Sequence, residues 1–432
     1  MPNVHQAGTV IFPKIGGAIA TNKRRVLVRL TAIDNNCLGI APSEAMSTSY
    51  LLLLLSSIDF TVYQAGTSVP ALSQGTLGQI PVGLPPLAEQ SRIVTRVEEL
   101  MRLCDALEAK GQLEATQHAR LVSTLLGTLA ESETPAQLND YWQRIAAHFD
   151  LLLDRPEAVD ALEQTILQLA VRGLLVPQDP QDEPASALLK KIRLEKDRLI
   201  AVGKIKRDKP QPPIAEDEQP FDLLKGWEWV RLGEVVLISS GVTLGRKTTI
   251  PKPVLLPYLR VANVQRWHLN LTSMKSVAID QTELARFQLV KGDLLITEGG
   301  DWDKVGRTAI WRDELPTCLH QNHVFKARGT SPDWNPVWAE LYLNSTIARA
   351  YFASSAKQTT NLASINMTQL KDCVFPMPPL AEQSRIVTRV ASMRRLCTEL
   401  RQRLTASQAT QAHLAEAMVT DLPALHCEKV HP

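Results

Sequence analysis

Apolar residues recur every three to four positions in two widely separated segments of the chain, 84–126 and 378–422. The first segment carries them at Ile93, Val97, Leu100, Cys104 and Leu107, and the second at Ile386, Val390, Met393, Cys397, Leu400 and Leu404. This spacing is typical of a helix that buries one stripe of its surface against another helix. A Pro-Pro pair opens each segment, which suits a helix start because the first N–H groups lack intrahelical partners. The pattern therefore predicts two long helices.

The two predicted helices belong to an internal repeat. Pro85 to Val97 and Pro378 to Val390 both read PPLAEQSRIVTRV. A duplication of this length and separation indicates one architectural unit present twice. We expect the two apolar stripes to pair within the chain as a seam that also docks partners. The residues assigned to this seam are Ile93, Val97, Leu100, Leu107, Ile386, Val390, Met393, Leu400 and Leu404. A plain dimerising coiled coil is the alternative, and the duplication disfavours it because one chain supplies both helices.

Between these helices the pattern changes to short β-rich runs and turns. Residues 1–83 and 221–377 alternate such runs with Gly, Pro and Asn, which is typical of globular domains with short strands. Residues 127–220 predict a connector of shorter helices that ends in a Pro-rich linker, and 423–432 form a tail. The predicted fold class is α+β, with two mixed α/β domains that are each followed by a long helix.

Composition narrows the functional classes. Hydrophobic content of 44% and charged content of 21% fit an ordinary soluble protein. A formal net charge of +2 gives the chain no overall electrostatic attraction for polyanions. The six cysteines include no CxxC pair, so neither a zinc site nor a disulfide framework is expected, and a reducing cytoplasm is the natural location. The most apolar run, Leu51 to Leu55, is far too short to cross a bilayer.

Three motifs carry a resemblance to a known family. The string PPLAEQSRIV opens both predicted long helices, LEQTILQLAVRGLLVP spans Leu162 to Pro177, and GWEWVRLGEV spans Gly226 to Val235. In their order and over essentially the whole chain, they resemble the specificity subunit of Type I restriction–modification systems.

The resemblance implies a fold and a function. It implies two target-recognition domains, each reading one half of a split double-stranded DNA site, with the two long helices packed antiparallel as an intramolecular spacer. It also implies docking of two adenine-methylating modification subunits and, in the full complex, of ATP-dependent restriction subunits. S-adenosylmethionine, ATP and Mg are then expected on those partners. This chain is expected to be non-catalytic and to hold no cofactor.

The first recognition domain is expected to be truncated at its N-terminal side. Gly8 to Pro13 aligns with Gly292 to Thr297 of the second domain, yet only seven residues precede Gly8. A counterpart of the Gly226-Trp227 opening is therefore expected to be missing from the first domain.

Donors and acceptors for DNA are expected in the second domain. Bases are read by side chains placed at their edges, while basic and amide groups hold phosphates. The candidates are Arg246, Lys247, Arg260, Asn263, Gln265, Arg266, Arg307, Gln321, Asn322 and His323. The alternating pattern from Arg260 to Arg266 predicts a strand with both arginines on one face. The alternative for any one of these residues is simple surface solvation. A metal site on His320 and His323 is a minor alternative without a neighbouring carboxylate or thiolate cluster, so no metal is expected.

Function is thus predicted as DNA sequence recognition within a Type I restriction–modification complex. One alternative is a coiled-coil scaffold, or a degenerate remnant, that joins partners without reading DNA. Another is a self-contained nuclease or methyltransferase. The sequence disfavours this last class because it contains no Asn/Asp-Pro-Pro-Tyr/Phe motif and no GxGxxG.

Overall fold

The computed structural model describes residues 3–66, 69–207, 209–245, 250–300, 304–359 and 362–421. The chain divides into two compact units, Met1–Gln117 and His118–Pro432. Helices and strands are mixed in both units, which confirms the predicted α+β class. None of the helices in these ranges is both long enough and apolar enough to cross a membrane.

Unit 1 is built from short strands and a buried helix. Its strands are β1 (Val4–His5), β2 (Val10–Pro13), β3 (Arg25–Val26), β4 (Thr31–Ala32) and β5 (Cys37–Ile40). Its helices are α1 (Thr48–Ser57), α2 (Gln74–Leu77) and the start of α3 (Leu87–Ala130). β2 is the central strand of an antiparallel sheet, β3-β2-β5. Phe12 from this strand packs with Leu51 and Leu55 of α1 and with Phe60, so the Leu-rich run belongs to a core helix.

Unit 2 begins with helices and continues into a larger mixed domain. Its helices are the end of α3, α4 (Pro135–Ala146), α5 (Phe149–Leu152), α6 (Pro156–Val171), α7 (Ala185–Ala201), α8 (Leu232–Val235), α9 (Leu284–Phe287), α10 (Pro336–Leu343), α11 (Thr346–Ser355), α12 (Met367–Asp372) and α13 (Leu380–Asp421). Its strands are β6 (Glu228–Arg231), β7 (Val236–Ser239), β8 (Pro253–Leu259), β9 (Lys275–Asp280), β10 (Leu294–Thr297), β11 (Gly299–Gly300), β12 (Thr308–Ile310), β13 (Leu319–His320), β14 (Val324–Gly329), β15 (Lys357–Thr359), β16 (Leu362–Ser364) and β17 (Val374–Met377).

The strands of unit 2 form several small sheets around a common core. The largest is the antiparallel sheet β12-β10-β14-β7, and all four residues of β10 are buried in it. A second sheet has the order β13-β8-β9, in which β13 runs parallel to β8. β6 and β17 form an antiparallel pair, so the start and the end of the domain lie side by side. This closure brings Gly226 next to Pro379 at the start of α13.

The two copies of the internal repeat also share backbone geometry. Gly8 precedes β2 with φ +85° and Gly292 precedes β10 with φ +90°, a region that glycine enters without steric cost. The Gly8 N–H donates to the carbonyl of Leu27 at 2.7 Å, and the Gly292 N–H donates to the carbonyl of Trp311 at 2.9 Å. β2 and β10 are both central strands of antiparallel sheets. The two domains therefore share one strand arrangement at these positions.

The repeated glutamine fixes the entry into each long helix. Gln90 and Gln383 are both buried, and each side-chain amide donates at 2.9 Å to the carbonyl five residues earlier, Pro85 or Pro378. Pro85 and Pro378 lie two residues before the helix and their carbonyls accept no helical N–H, so this bond fixes the turn between Pro-Pro and the helix. The PPLAEQ string thus encodes a specific local structure at both positions.

Within unit 2, the helix that packs along α13 is α6. Arg394 of α13 donates to Glu163 of α6 at 2.7 Å, and Arg401 bridges Glu163 and Asp160 at 2.8 and 2.7 Å. Met393, Leu400 and Leu404 pack on an apolar cluster formed by α4, α5, α6 and the last turns of α3. The packing of α6 along α13 is not visible in the sequence, because the apolar stripe of α6 repeats nothing in the long helices.

The remaining seam residues have different surroundings. Ile386 and Val390 are buried in the core of the 221–377 domain together with β10 and α10. The same cluster also contains Leu167, Ala170 and Val171 of α6, so the assignment of these two residues to a helix–helix seam stays a prediction. Leu100 and Leu107 of unit 1 are exposed, and Ile93 and Val97 are half-buried. The pairing of this part of α3 with α13 involves both units and stays a prediction.

Replacing Leu400 with aspartate is expected to lower the free energy of unfolding of residues 118–432 by about 2–3 kcal/mol. The substitution places a carboxylate against the apolar cluster between α6 and α13. Chemical denaturation followed by tryptophan fluorescence measures the change. Leu396→Asp is the matched control on the same helix, because Leu396 is 57% exposed. Equal losses from both variants would contradict this packing.

Candidate nucleic-acid interface

Two separate groups of polar residues flank the end of strand β10. The Thr297 N–H donates to the carbonyl of Arg307 at 3.0 Å, and the next N–H, of Glu298, donates to the carbonyl of His323 at 3.0 Å. These bonds join the start of β12 and the turn before β14 to one strand end. We call Gln265, Glu298, Arg307, Asn322 and His323 the polar rim. Glu298, Arg307, Asn322 and His323 flank the ends of adjoining strands, whereas Gln265 lies in the loop between β8 and β9.

One side of the polar rim is an arginine–amide pair. The Nη1 of Arg307 donates to the Oε1 of Gln265 at 2.6 Å, and the Nε2 of Gln265 donates to the carbonyl of Ala262 at 2.9 Å. The backbone N–H of Arg307 donates to the Oγ1 of Thr297 at 3.0 Å. Both ends of the arginine are thereby fixed. A held guanidinium presents planar donors suited to guanine or phosphate.

The other side is a histidine–carboxylate pair. His323 Nδ1 and Glu298 Oε2 are 2.6 Å apart, and the Nδ2 of Asn322 lies 3.4 Å from His323 Nε2. Because a carboxylate only accepts, His323 donates from Nδ1 to Glu298. The His323 side chain is 55% exposed. Sequence reasoning missed Glu298 because it searched for basic and amide groups. The sequence signal that could have identified Glu298 is its position between an apolar strand and Gly299-Gly300.

The turn that carries Gln321 and Asn322 is fixed by backbone contacts. Gln321 donates its N–H to the carbonyl of Leu259 at 2.9 Å, and Asn322 donates its N–H to the carbonyl of Val242 at 3.0 Å. A Cβ at Gly241 would lie 1.9 Å from the carbonyl oxygen of His320, so only glycine permits this approach. The two half-buried side chains therefore start from a constrained backbone.

His320 and His323 have separate environments. The His320 ring is fully buried, its Nδ1 donates to the carbonyl of Val324 at 2.7 Å, and burial lowers its pKa to about 4. His323 instead lies on the exposed rim with Glu298. The two rings therefore do not share a ligand set. Across the described ranges, no group of three or more His, Cys, Asp or Glu side chains is placed to hold a metal ion.

The segment from Arg260 to Arg266 is a turn, so the predicted strand is wrong. β8 ends at Leu259, and a 3-10 turn covers Val261–Asn263. The Asn263 side chain is buried, accepts the Arg260 N–H at 2.9 Å and donates to the carbonyl of Asn270 at 2.8 Å. A side chain that satisfies the backbone in this way competes with a strand ladder. Asn263 therefore holds the 264–273 loop and is corrected as a base-reading candidate.

The two arginines of this segment are directed to different partners. Arg260 donates from Nη2 to the carbonyl of Ser273 at 2.8 Å, whereas Arg266 donates from Nη1 to Oδ1 of the buried Asn344 at 3.3 Å. The next residue, Trp267, lies under the guanidinium of Arg394 at 4.2 Å. The expectation that Arg260 and Arg266 form one reading face is therefore wrong. Arg246 and Lys247 lie outside the described residues.

Other charged side chains of the sheet form their hydrogen bonds inside the domain. Asp293 is fully buried and receives two bonds of 2.6 Å from Arg328. Lys326 donates to the carbonyls of Arg286 and Gln288, and burial lowers its pKa to about 8. These groups stabilise the sheet from within the domain.

Comparisons with known proteins agree on one family. The family described as "Type I restriction modification DNA specificity domain" matches residues 9–117 and 224–407. The specificity subunit of the Type I restriction enzyme EcoAI from Escherichia coli is 35% identical over 390 residues, which is 87% of this chain and 64% of that protein. The EcoEI specificity subunit, also from Escherichia coli, is 34% identical over 386 residues, which is 87% of this chain and 65% of that protein. The chain thus spans less than two thirds of the length of either relative.

A solved chain gives a further comparison. It comes from a study of complex assembly and conformational transition of the type I R-M system, and it is 21% identical with a TM-score of 0.49. The alignment covers 97% of this chain and 82% of that chain.

Proposed function

The chain belongs to the family of Type I restriction–modification DNA specificity subunits, and we propose that its 221–377 domain recognises one half of a double-stranded DNA target. The observation that carries this proposal is the polar rim. It combines a guanidinium, two amides, an imidazole and a carboxylate around the end of β10. A surface that only attracts phosphates needs cations alone, whereas base edges present both donors and acceptors.

We propose that the chain performs no chemistry and acts through partners. In this proposal, two adenine-methylating modification subunits dock on the long helices, and restriction subunits join the full complex. S-adenosylmethionine, ATP and Mg belong to these partners, and the complex works in the cytoplasm on genomic DNA. The apolar side chains that α13 exposes at Leu396, Leu414 and Met418 support a protein contact there, because such residues favour burial in an interface.

Footprinting of the assembled methyltransferase tests the whole proposal. The modified adenines of the host genome first define a target sequence, and a duplex with that sequence is then compared with a scrambled duplex. Protection confined to the target at moderate salt is the expected result. Contacts to bases add binding free energy to that of the phosphate contacts, which salt weakens. Equal protection of both duplexes would instead favour a scaffold that does not read DNA.

Arg307→Ala is expected to weaken binding to the target duplex by roughly 5- to 100-fold, since one good arginine–base contact contributes about 1–3 kcal/mol. Binding to the scrambled duplex should change less. Fluorescence anisotropy of labelled duplexes with the assembled complex measures both affinities. Arg198→Ala is the charge-matched control, because Arg198 lies on α7 and pairs with Glu195 at 2.7 Å. If Arg307→Ala and Arg198→Ala behave alike, the rim is not the reading surface.

A further inference from the structure

A tight turn carries one residue of the polar rim. Residues 265–268 form this turn, which an antiparallel bridge between Val264 and Leu269 closes. Val264 is fully buried, so the base of the turn belongs to the domain core. Gln265, the rim residue that bonds Arg307, is the first residue of the turn. The position of its side chain therefore depends on what holds the turn.

Three consecutive side chains of the turn contact three different elements. Gln265 accepts a 2.6 Å hydrogen bond from Arg307, which directly precedes β12. Arg266 donates at 3.3 Å to an amide side chain just after α10. The centre of the Trp267 ring lies 4.2 Å from the Cζ of Arg394 on α13. The turn thus contacts the polar rim on one side and the long helix α13 on the other.

Trp267 has a backbone conformation that bulky residues rarely adopt. Its φ is +71°, in the left-handed region that glycine and asparagine enter more easily. Such a conformation persists only where the surrounding structure compensates for its cost. Here the Trp267 N–H donates to the carbonyl of Thr308 at 3.2 Å, and the ring packs on the domain core. Since Thr308 directly follows Arg307, Trp267 holds the turn against the segment that carries this arginine.

Arg394 is held between a carboxylate and the indole. Its Nε donates to the Oε1 of Glu163 on α6 at 2.7 Å, and its guanidinium lies over the Trp267 ring at a distance typical of a cation–π contact. The side chain is 30% exposed. A guanidinium that bonds a carboxylate through its N–H groups keeps its flat face available for an aromatic ring. Helices α6 and α13 thereby present a fixed cation to the turn.

Arg401 provides a matched comparison on the same helix. It lies about two helical turns beyond Arg394, donates to the other carboxylate oxygen of Glu163 at 2.8 Å and is 29% exposed. Its second contact is a 2.7 Å bond to Asp160 of α6. The two arginines therefore share the bond to Glu163 and differ in the contact that Arg394 makes with Trp267.

We propose that Arg394 is a positioning residue for DNA recognition. By stacking on Trp267 it keeps the turn in its conformation, so that Gln265 stays against Arg307 and the guanidinium of Arg307 stays oriented. Arg394 contacts no base in this proposal and acts through Arg307. The role in DNA binding rests on the proposed function, in which Arg307 contacts the target. The role in holding the turn is independent of DNA.

Hydrogen exchange of the full chain tests the turn without DNA. Arg394→Ala is expected to speed exchange of the Gln265 and Trp267 amides by roughly 3- to 30-fold, since the turn loses one cation–π contact. Arg394→Lys keeps a cation for the ring and should restore most of the protection. Arg401→Ala should leave both amides unchanged. Unchanged exchange in Arg394→Ala, or the same acceleration in Arg401→Ala, would overturn the proposal.

Fluorescence anisotropy of labelled duplexes with the assembled complex tests the role in recognition. Arg394→Ala should weaken binding of the target duplex roughly 3- to 10-fold and that of the scrambled duplex less, whereas Arg401→Ala should change neither. In a chain that already carries Arg307→Ala, Arg394→Ala should cause little further loss, because residues that act through one network are not additive. Losses that multiply, or equal losses from Arg394→Ala and Arg401→Ala, would contradict a role that runs through Arg307.

The two experiments distinguish this proposal from the proposed function. If Arg307→Ala leaves the affinity for the target duplex unchanged, the polar rim does not read DNA, and the DNA-binding role of Arg394 fails with it. Faster exchange of the Gln265 and Trp267 amides in Arg394→Ala would then still support Arg394 as the residue that holds the turn. Unchanged exchange together with a clear effect of Arg307→Ala would reject the positioning role and leave the proposed function intact.

Discussion

Trp227→Ala is expected to lower the free energy of unfolding of residues 118–432 by about 3–5 kcal/mol. The indole is almost fully buried, donates to Glu382 at 3.0 Å and packs edge-on against Trp338 at 5.7 Å between ring centres. It also covers Gly173, where a Cβ would lie 2.7 Å from the ring. One side chain therefore joins the end of α6, the start of α13 and α10, and its loss leaves a cavity and an unpaired buried acceptor.

Chemical denaturation followed by tryptophan fluorescence is a selective measurement here. All eight tryptophans lie between residues 142 and 338, so the signal reports on unit 2 alone. Trp227→Phe keeps most of the ring and should cost about 1–3 kcal/mol, which isolates the hydrogen bond to Glu382. Trp229→Ala is the control for removing a half-buried indole two residues away. A loss for Trp227→Ala no larger than for Trp229→Ala would contradict the described packing.

The stability of unit 2 is expected to fall by about 2–3 kcal/mol as the pH drops from 6.5 to 4, because of His320 alone. Burial lowers the pKa of this ring to about 4 from the ordinary 6.5. In that interval the unfolded chain takes up a proton on His320 and the folded chain does not. The lowered pKa of His320 therefore does not reduce the free energy of unfolding above pH 6.5. The reduction is complete below pH 4.

His320→Asn isolates this contribution. Its amide can donate to the carbonyl of Val324, as Nδ1 of the imidazole does, but it does not titrate. Urea denaturation at half-unit steps between pH 7 and pH 4 should show a steeper loss for the natural chain than for the variant. Other carboxylates titrate in both proteins, so the difference between the two curves is the quantity of interest. Parallel curves would show that His320 is accessible to protons in the folded state.

The sequence predicted the long helices well because their determinants are local. Apolar spacing of three and four residues and a Pro-Pro start define α13 within a few residues of the predicted 378–422 segment. The buried role of Gln90 and Gln383 follows from the same repeated string. The sequence did not predict which helix packs along α13. The carboxylates of Asp160 and Glu163, which pair with the arginines of α13, lie more than 230 positions away in the chain.

The candidate interface was predicted only in outline. The list of donors included Arg307, Gln265, Asn322 and His323, which the structure places on the polar rim. It also included Asn263 and Arg266, which bond within the domain. All of these residues look alike in a sequence, because composition records that a donor exists and says nothing of its acceptor. Spacing also failed at Arg260 to Arg266, since one buried amide stabilised a turn against a strand-like pattern.

By itself the sequence determined the duplication, the two helix starts, the mixed fold class and the family. These properties rest on neighbouring residues and on periodicity, which chain connectivity fixes before any packing occurs. Tertiary structure alone decided which polar groups remain near the surface and which are used inside. A hydrogen bond such as that between Arg266 and Asn344 joins positions that only the folded backbone brings within reach.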